Sequence, residues 1–127
     1  MDGRPDYVRI YSDADGETHF ADVVLDLAEP ATPGETARIA VAEPLDVERL
    51  TFRRVLEEAS STVPHNAPRR QVIVLLAGEI EVEVSDGEVR RFGPGDVTLV
   101  EDTTGKGHIT RSLGTGERMT LVAPLRD

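Results

Sequence analysis

The run Gln71-Val72-Ile73-Val74-Leu75-Leu76-Ala77-Gly78-Glu79-Ile80-Glu81-Val82-Glu83-Val84-Ser85-Asp86-Gly87-Glu88-Val89-Arg90-Arg91-Phe92-Gly93-Pro94-Gly95-Asp96 decides the fold. Residues 71–76 form an apolar, β-branched-rich run of strand length, expected to be buried on both faces, and Gly78 ends it. Residues 79–84 then alternate without a break, carboxylates toward water and aliphatics toward a core. Asp86-Gly87 joins them to 88–92 as a tight hairpin, and Gly93-Pro94-Gly95-Asp96 turns the chain into a further strand at 97–100.

Toward the N terminus, residues 7–11 alternate imperfectly, with Tyr7, Ile10 and Tyr11 as apolar positions, and Asp13-Ala14-Asp15-Gly16 is a strong turn signal. A second strand is expected at 18–27. Turns follow at Pro30 and Pro33-Gly34, then a strand at 38–42 closed by Pro44. The stretch 45–58 is ambiguous: Val47, Leu50 and Leu56 partly suit a helix, whereas Leu50, Phe52 and Leu56, with Arg53 and Val55 between them, suit a strand. We expect a strand over 49–56 with at most a short helical turn beside it. Toward the C terminus, 108–113 and 118–123 complete the pattern, set off by Gly105-Lys106-Gly107 and Gly114-Thr115-Gly116. About ten short strands with little helix predict an all-β sandwich or barrel.

The 127 residues suit one domain spanning 1–127, with no linker or low-complexity segment dividing it. Hydrophobic residues at 39% and charged residues at 30% argue for a folded chain rather than a disordered one or a coiled coil. With 24 acidic against 14 basic side chains the net charge is −10, which repels nucleic acid and anionic membrane, so neither is an expected partner. The longest apolar run is far too short to cross a bilayer and no basic-then-apolar leader opens the chain, which leads us to expect a soluble, cytoplasmic protein. The lack of cysteine excludes a disulfide framework, thiol catalysis and thiolate-bound zinc. Any metal must therefore be held by His, carboxylate or amide oxygen.

Chemistry-bearing residues cluster in 64–113. His65-Asn66-Ala67-Pro68-Arg69-Arg70-Gln71, followed after six residues by Gly78, resembles the first cupin motif, His-x-His-x3-Glu-x6-Gly. Gly93-Pro94-Gly95-Asp96 resembles the turn between the two cupin motifs. Gly105-Lys106-Gly107-His108 resembles the Gly-x-x-His of the second, with Thr103 where that motif has Pro and Ser112 where it often has Asn. The chain is similar in particular to small stand-alone cupins carrying Pro-Arg-Arg-Gln and Asp-Thr-Thr-Gly-Lys-Gly-His, here 102–108. The resemblance implies a single-domain cupin jelly-roll barrel. It also implies a homodimer, in which 7–11 is a candidate for an exchanged N-terminal strand.

Cupin metal sites supply three His and one Glu. The matching positions here are His65, Ala67, Gln71 and His108, so one ligand is missing and the carboxylate has become an amide. The resemblance thus implies either no cofactor or a divalent ion weakly held by His65, Gln71 and His108. Without a metal, His65 and His108 are expected as acid/base groups in one pocket. By two-residue periodicity His108, Thr110 and Ser112 share a face, and a polar face turned inward implies a wet or ligand-filled interior. Ala67 leaves room for a substrate and Gln71 orients it. Asp102, entering the Gly-rich loop, is a candidate to orient His108 or to act as a second acid or base. Lys106 is a candidate to reach over the pocket mouth toward an anionic substrate. The function expected is a small-molecule enzyme of isomerase, cyclase or lyase type. The competing class is a non-catalytic module that binds or senses a small ligand, and fold resemblance does not separate the two.

Overall fold

The computed structural model describes residues 4–31, 36–57 and 62–127. Among them there are nine strands and no helix: β1 (Tyr7–Ser12), β2 (Thr18–Val23), β3 (Thr51–Val55), β4 (Gln71–Ala77), β5 (Glu79–Val84), β6 (Val89–Phe92), β7 (Val97–Val100), β8 (His108–Leu113) and β9 (Arg118–Pro124). The strand expected at 38–42 is reduced to one bridge, Ala28 to Val41, and 24–27 falls outside β2. The Pro33-Gly34 turn, and any helical turn over 58–61, lie outside the described residues.

The strands form two sheets, a six-stranded one in the order β2-β1-β7-β4-β9-β3 and a three-stranded one in the order β6-β5-β8. Only β1 and β7 run parallel. This is a two-sheet, jelly-roll type of all-β fold, and no ladder among the described residues closes the sheets into the continuous barrel expected. Gly78 makes the passage from one sheet to the other: its φ is 89°, and a Cβ there would lie 2.7 Å from the Glu117 carbonyl oxygen. The chain turns sharply where a side chain would collide, and β5 starts at once.

The core lies between the sheets and includes Val8, Ile10 and Phe20 from one hairpin, Leu75 and Val100 from the middle of the large sheet, and Val82, Val84 and Phe92 from the small one. The alternation of β5 holds, with Val82 and Val84 buried and Glu79 exposed. Two expectations fail. The run 71–76 is not buried on both faces: Gln71 and Leu75 face in and are buried, while the outward Val72 and Val74 are half-buried and Leu76 is exposed. In β3 the apolar residue points the wrong way. Phe52 is 71% exposed, whereas Arg53 stands opposite the buried Thr120 on the inner face. β1 pairs on both sides within its own chain, with β2 and β7.

Candidate functional site

The loop entering β8 is held from below. Thr18, fully buried at the start of β2, donates its hydroxyl to the Gly107 carbonyl at 2.6 Å and accepts the Ser85 N–H at 2.8 Å. Gly107 has a φ of 75°, and a Cβ there would sit 2.5 Å from the His65 carbonyl oxygen. Only glycine allows that backbone approach. Because of it, His65 and His108 exchange both backbone hydrogen bonds, each 2.9 Å long. Their rings consequently lie 4.6 Å apart, centroid to centroid.

Asp102 is fully buried, and its Oδ2 lies 2.5 Å from His108 Nδ1. An ionised carboxylate only accepts, so Nδ1 carries the proton, and the neutral form of the ring then has its lone pair at Nε2. The carboxylate fixes the tautomer and the angle of a ring that is itself only 7% exposed. Its other oxygen, Oδ1, is buried with no hydrogen-bond partner, a desolvation cost that makes the pair expensive as mere packing. Asp102 therefore stands where it orients the His108 ring, the contact that the first of its two expected roles requires.

His65 and His108 line a cavity of about 240 Å³ between the sheets, together with Ala67, Gln71 and Thr110. His65 is exposed at its edge, whereas Ala67, Gln71 and Thr110 are buried. The inward polar face of β8 thus extends over His108 and Thr110. It does not extend to Ser112, which lies outside the lining and accepts a hydrogen bond from Arg118 Nη1 at 3.0 Å. Lys106 also stands outside the lining: its ammonium is 2.7 Å from Glu17, and each holds the other's charge, the lysine pKa raised and the carboxylate pKa lowered. The backbone bond from Lys106 N–H to the Gly16 carbonyl turns the residue toward the β1–β2 turn and away from the cavity mouth.

The site also holds residues that were not anticipated, among them Asn66, Arg53 and Arg118. Asn66 donates through Nδ2 to the carbonyls of Asp102 and Gly105, at 3.2 and 3.1 Å, tying the His65 segment to the loop that carries His108. Arg53 and Arg118, from β3 and β9, line the same cavity. The position of Asn66 beside His65 was the one available signal. Nothing in the alternation of β3 marks Arg53 as inward. Glu101 does not reach His108; it accepts from Arg9 at 2.6 Å and from Arg70 at 2.7 Å.

Among the described residues no group of three or more His, Cys, Asp or Glu side chains is placed to hold a metal ion. The candidate donors that line the cavity are two imidazoles and the Gln71 amide. A neutral amide in place of a carboxylate does not fit a tightly held divalent cation. In comparison with known proteins, no family model and no curated sequence matches the chain.

Proposed function

We propose that the protein is a small-molecule enzyme working inside a cupin-like cavity by acid/base chemistry, of isomerase, cyclase or lyase type. The observation that carries this reading is the buried Asp102–His108 pair at a cavity with a second histidine ring beside it. His108 Nε2 takes a proton from the bound substrate, Asp102 stabilises the imidazolium that forms, and His65 delivers a proton to a neighbouring atom. No oxidant or reductant is required. Gln71 and Thr110 supply buried polar contacts that orient the substrate, and Ala67 leaves it room. A divalent ion, where one binds, is held weakly by His65, Gln71 and His108, and the proton transfers do not depend on it. The competing reading, a module that binds or senses a small ligand, would use the same pair to hold His108 Nε2 as an oriented hydrogen-bond acceptor.

The reading includes a homodimer. Phe52 and the flanking Leu50 and Leu56 are exposed along β3, the edge of the six-stranded sheet, and a second copy placed there removes both the free edge and the apolar patch.

Incubation with a small-metabolite extract in D2O tests the chemistry. High-resolution mass spectrometry should find at least one metabolite whose deuterium content or identity changes with the wild-type protein and not with His108→Gln. Equal changes with both proteins, or none with either, would remove the acid/base reading.

A further inference from the structure

The cavity is lined by buried polar side chains that the fold does not use. Gln71 and Thr98 on the six-stranded sheet and Thr110 on the three-stranded one are each at most 9% exposed, and none of the three side chains makes a hydrogen bond among the described residues. Sealed from everything polar, each would lose its hydration without return. They are not sealed. Among the described residues the one side-chain polar atom both closed off and unpartnered is Asp102 Oδ1, so the polar atoms of these three open onto the cavity they line. Other polar lining is already engaged: Thr120 donates to the Arg53 carbonyl at 3.2 Å, Asp96 Oδ2 accepts the Gly93 N–H at 2.8 Å, and the Arg53 and Arg118 side chains have partners of their own.

Resting on the acid/base reading above, we propose that the substrate is a small, uncharged polyhydroxy carbonyl compound, with its hydroxyls on Gln71, Thr98 and Thr110 and its acidic C–H at His108. The strand register carries the class. Each polar residue stands opposite an aliphatic one: Gln71 opposite Val100 and Thr98 opposite Ile73 on one wall, His108 opposite Val84 and Thr110 opposite Val82 on the other. Polar and apolar positions therefore alternate over both walls, with Gln71 diagonal to Thr98 and His108 two residues from Thr110, roughly 7 Å within each pair. A hydrocarbon leaves the hydroxyls and the amide unpaired, and a flat heterocycle keeps its polar atoms in one plane. A carbon skeleton with hydroxyls on successive carbons alternates O–H and C–H as the walls do. The three open side chains are also uncharged. Hydroxyl and amide both donate and accept, so a ligand hydroxyl replaces water on them bond for bond, whereas an ion would exchange its hydration for neutral partners only. The cavity, about 240 Å³, falls below the range that holds drug-sized ligands and suits a molecule of a few carbons. The carbonyl is what the chemistry requires. His108 Nε2 takes the proton from the carbon beside it, the electron pair passes to the carbonyl oxygen, and His65 protonates that oxygen to give an enediol.

NMR titration of the isotope-labelled full chain with D-ribose, D-xylose, D-fructose, sodium gluconate, uracil and cyclohexanone tests it. At least one of the three sugars should shift the Thr98 and Thr110 methyl signals and the Gln71 side-chain amide saturably. Gluconate, uracil and cyclohexanone should each bind about tenfold or more weakly than that sugar. Thr98→Val and Thr110→Val keep the shape and remove the hydroxyl. Each should weaken sugar binding about three- to tenfold and leave the melting midpoint unchanged or raised, because the hydroxyl has no partner within the fold. Tighter binding of gluconate, uracil or cyclohexanone, unchanged sugar binding in both variants, midpoints lowered by several degrees in both, or no binding by any of the sugars overturns the proposal. The two readings fail separately. Sugar binding that needs the threonines, without His108-dependent deuterium exchange, removes the chemistry and keeps the ligand class; His108-dependent exchange into compounds lacking hydroxyls alone does the reverse.

Discussion

The protein carries the same chemical pairing, an imidazole on a carboxylate, in two surroundings. His108 meets Asp102 where both are buried, one ring nitrogen taken by the carboxylate and the ring lining a cavity. His19 on β2 meets two carboxylates near the surface, Nε2 on Asp13 and Nδ1 on Asp86, each at 2.7 Å. With both nitrogens engaged, His19 has nothing left to offer a substrate. It is a clamp, joining the turn after β1 to the β5–β6 hairpin and so one sheet to the other. The difference teaches that a histidine–carboxylate contact leaves a ring nitrogen available to a cavity when only one nitrogen is engaged and water is held back. When both nitrogens are bound at the surface, it becomes a cross-link.

The sharpest way to break the comparison is to remove the backbone contact that builds the buried pair's neighbourhood. Gly107→Ala places a Cβ against the His65 carbonyl in a left-handed backbone conformation. The conformation costs about 1–2 kcal/mol, and the overlap a further ~1–3 kcal/mol. Urea unfolding should report a loss in that range, and the NMR contacts between the His65 and His108 rings should disappear. Preserved stability together with preserved ring contacts would mean that the two histidines meet for some reason other than this glycine.

How far this arrangement was legible in the sequence follows from the same physics. His65, Ala67, Gln71 and His108 were expected in one pocket on their resemblance to the cupin motifs, and Thr110 on the two-residue periodicity that puts it on the face of His108; all five line one cavity. Lys106 and Ser112 were misplaced. Their positions depend on Glu17 and Arg118, partners distant in the chain whose proximity no local pattern encodes. Arg53 escaped because the alternation rule assigns the apolar side to the interior, and a polar cavity bounded by an edge strand inverts it. The closed barrel failed for a related reason: alternation gives the faces of strands, and closure depends on pairings at their edges. The strand expected at 38–42 had suitable residues but only one bridge to hold it.

A smaller effect sharpens the comparison by truncating each carboxylate. Asp102→Ala strips a buried imidazole of its side-chain anchor in a site from which water is largely excluded, and should cost about 1–3 kcal/mol in urea unfolding. Asp86→Ala removes one of two anchors from a ring near solvent, and its effect should fall well below that of Asp102→Ala. Equal losses would show that burial does not separate the two pairs.

The smallest effect, and the one that reads the clamp directly, is in pH. Hydrogen bonds donated to Asp13 and then to Asp86 raise the pKa of His19 above its ordinary 6.5. The carboxylates respond in the opposite sense: Asp13 is held low first by His19, and Asp86 first by the Glu88 N–H and also by His19. A raised histidine stabilises the fold fully below its unfolded pKa, and that contribution is lost as pH climbs through the higher folded value. Lowered carboxylates contribute above their ordinary 3.8 and lose that contribution as pH falls. The clamp is therefore strongest between these limits, and it weakens on the alkaline side as the imidazolium loses its proton to solvent. Thermal melts between about pH 6 and about pH 8.5 should show a decline in midpoint that His19→Gln flattens, because the variant has no proton to lose there. Other titrating groups are common to both proteins and cancel in the difference. An identical decline in His19→Gln would mean that the surface pair carries no charge-dependent stability, and that the molecule's pH response comes from elsewhere.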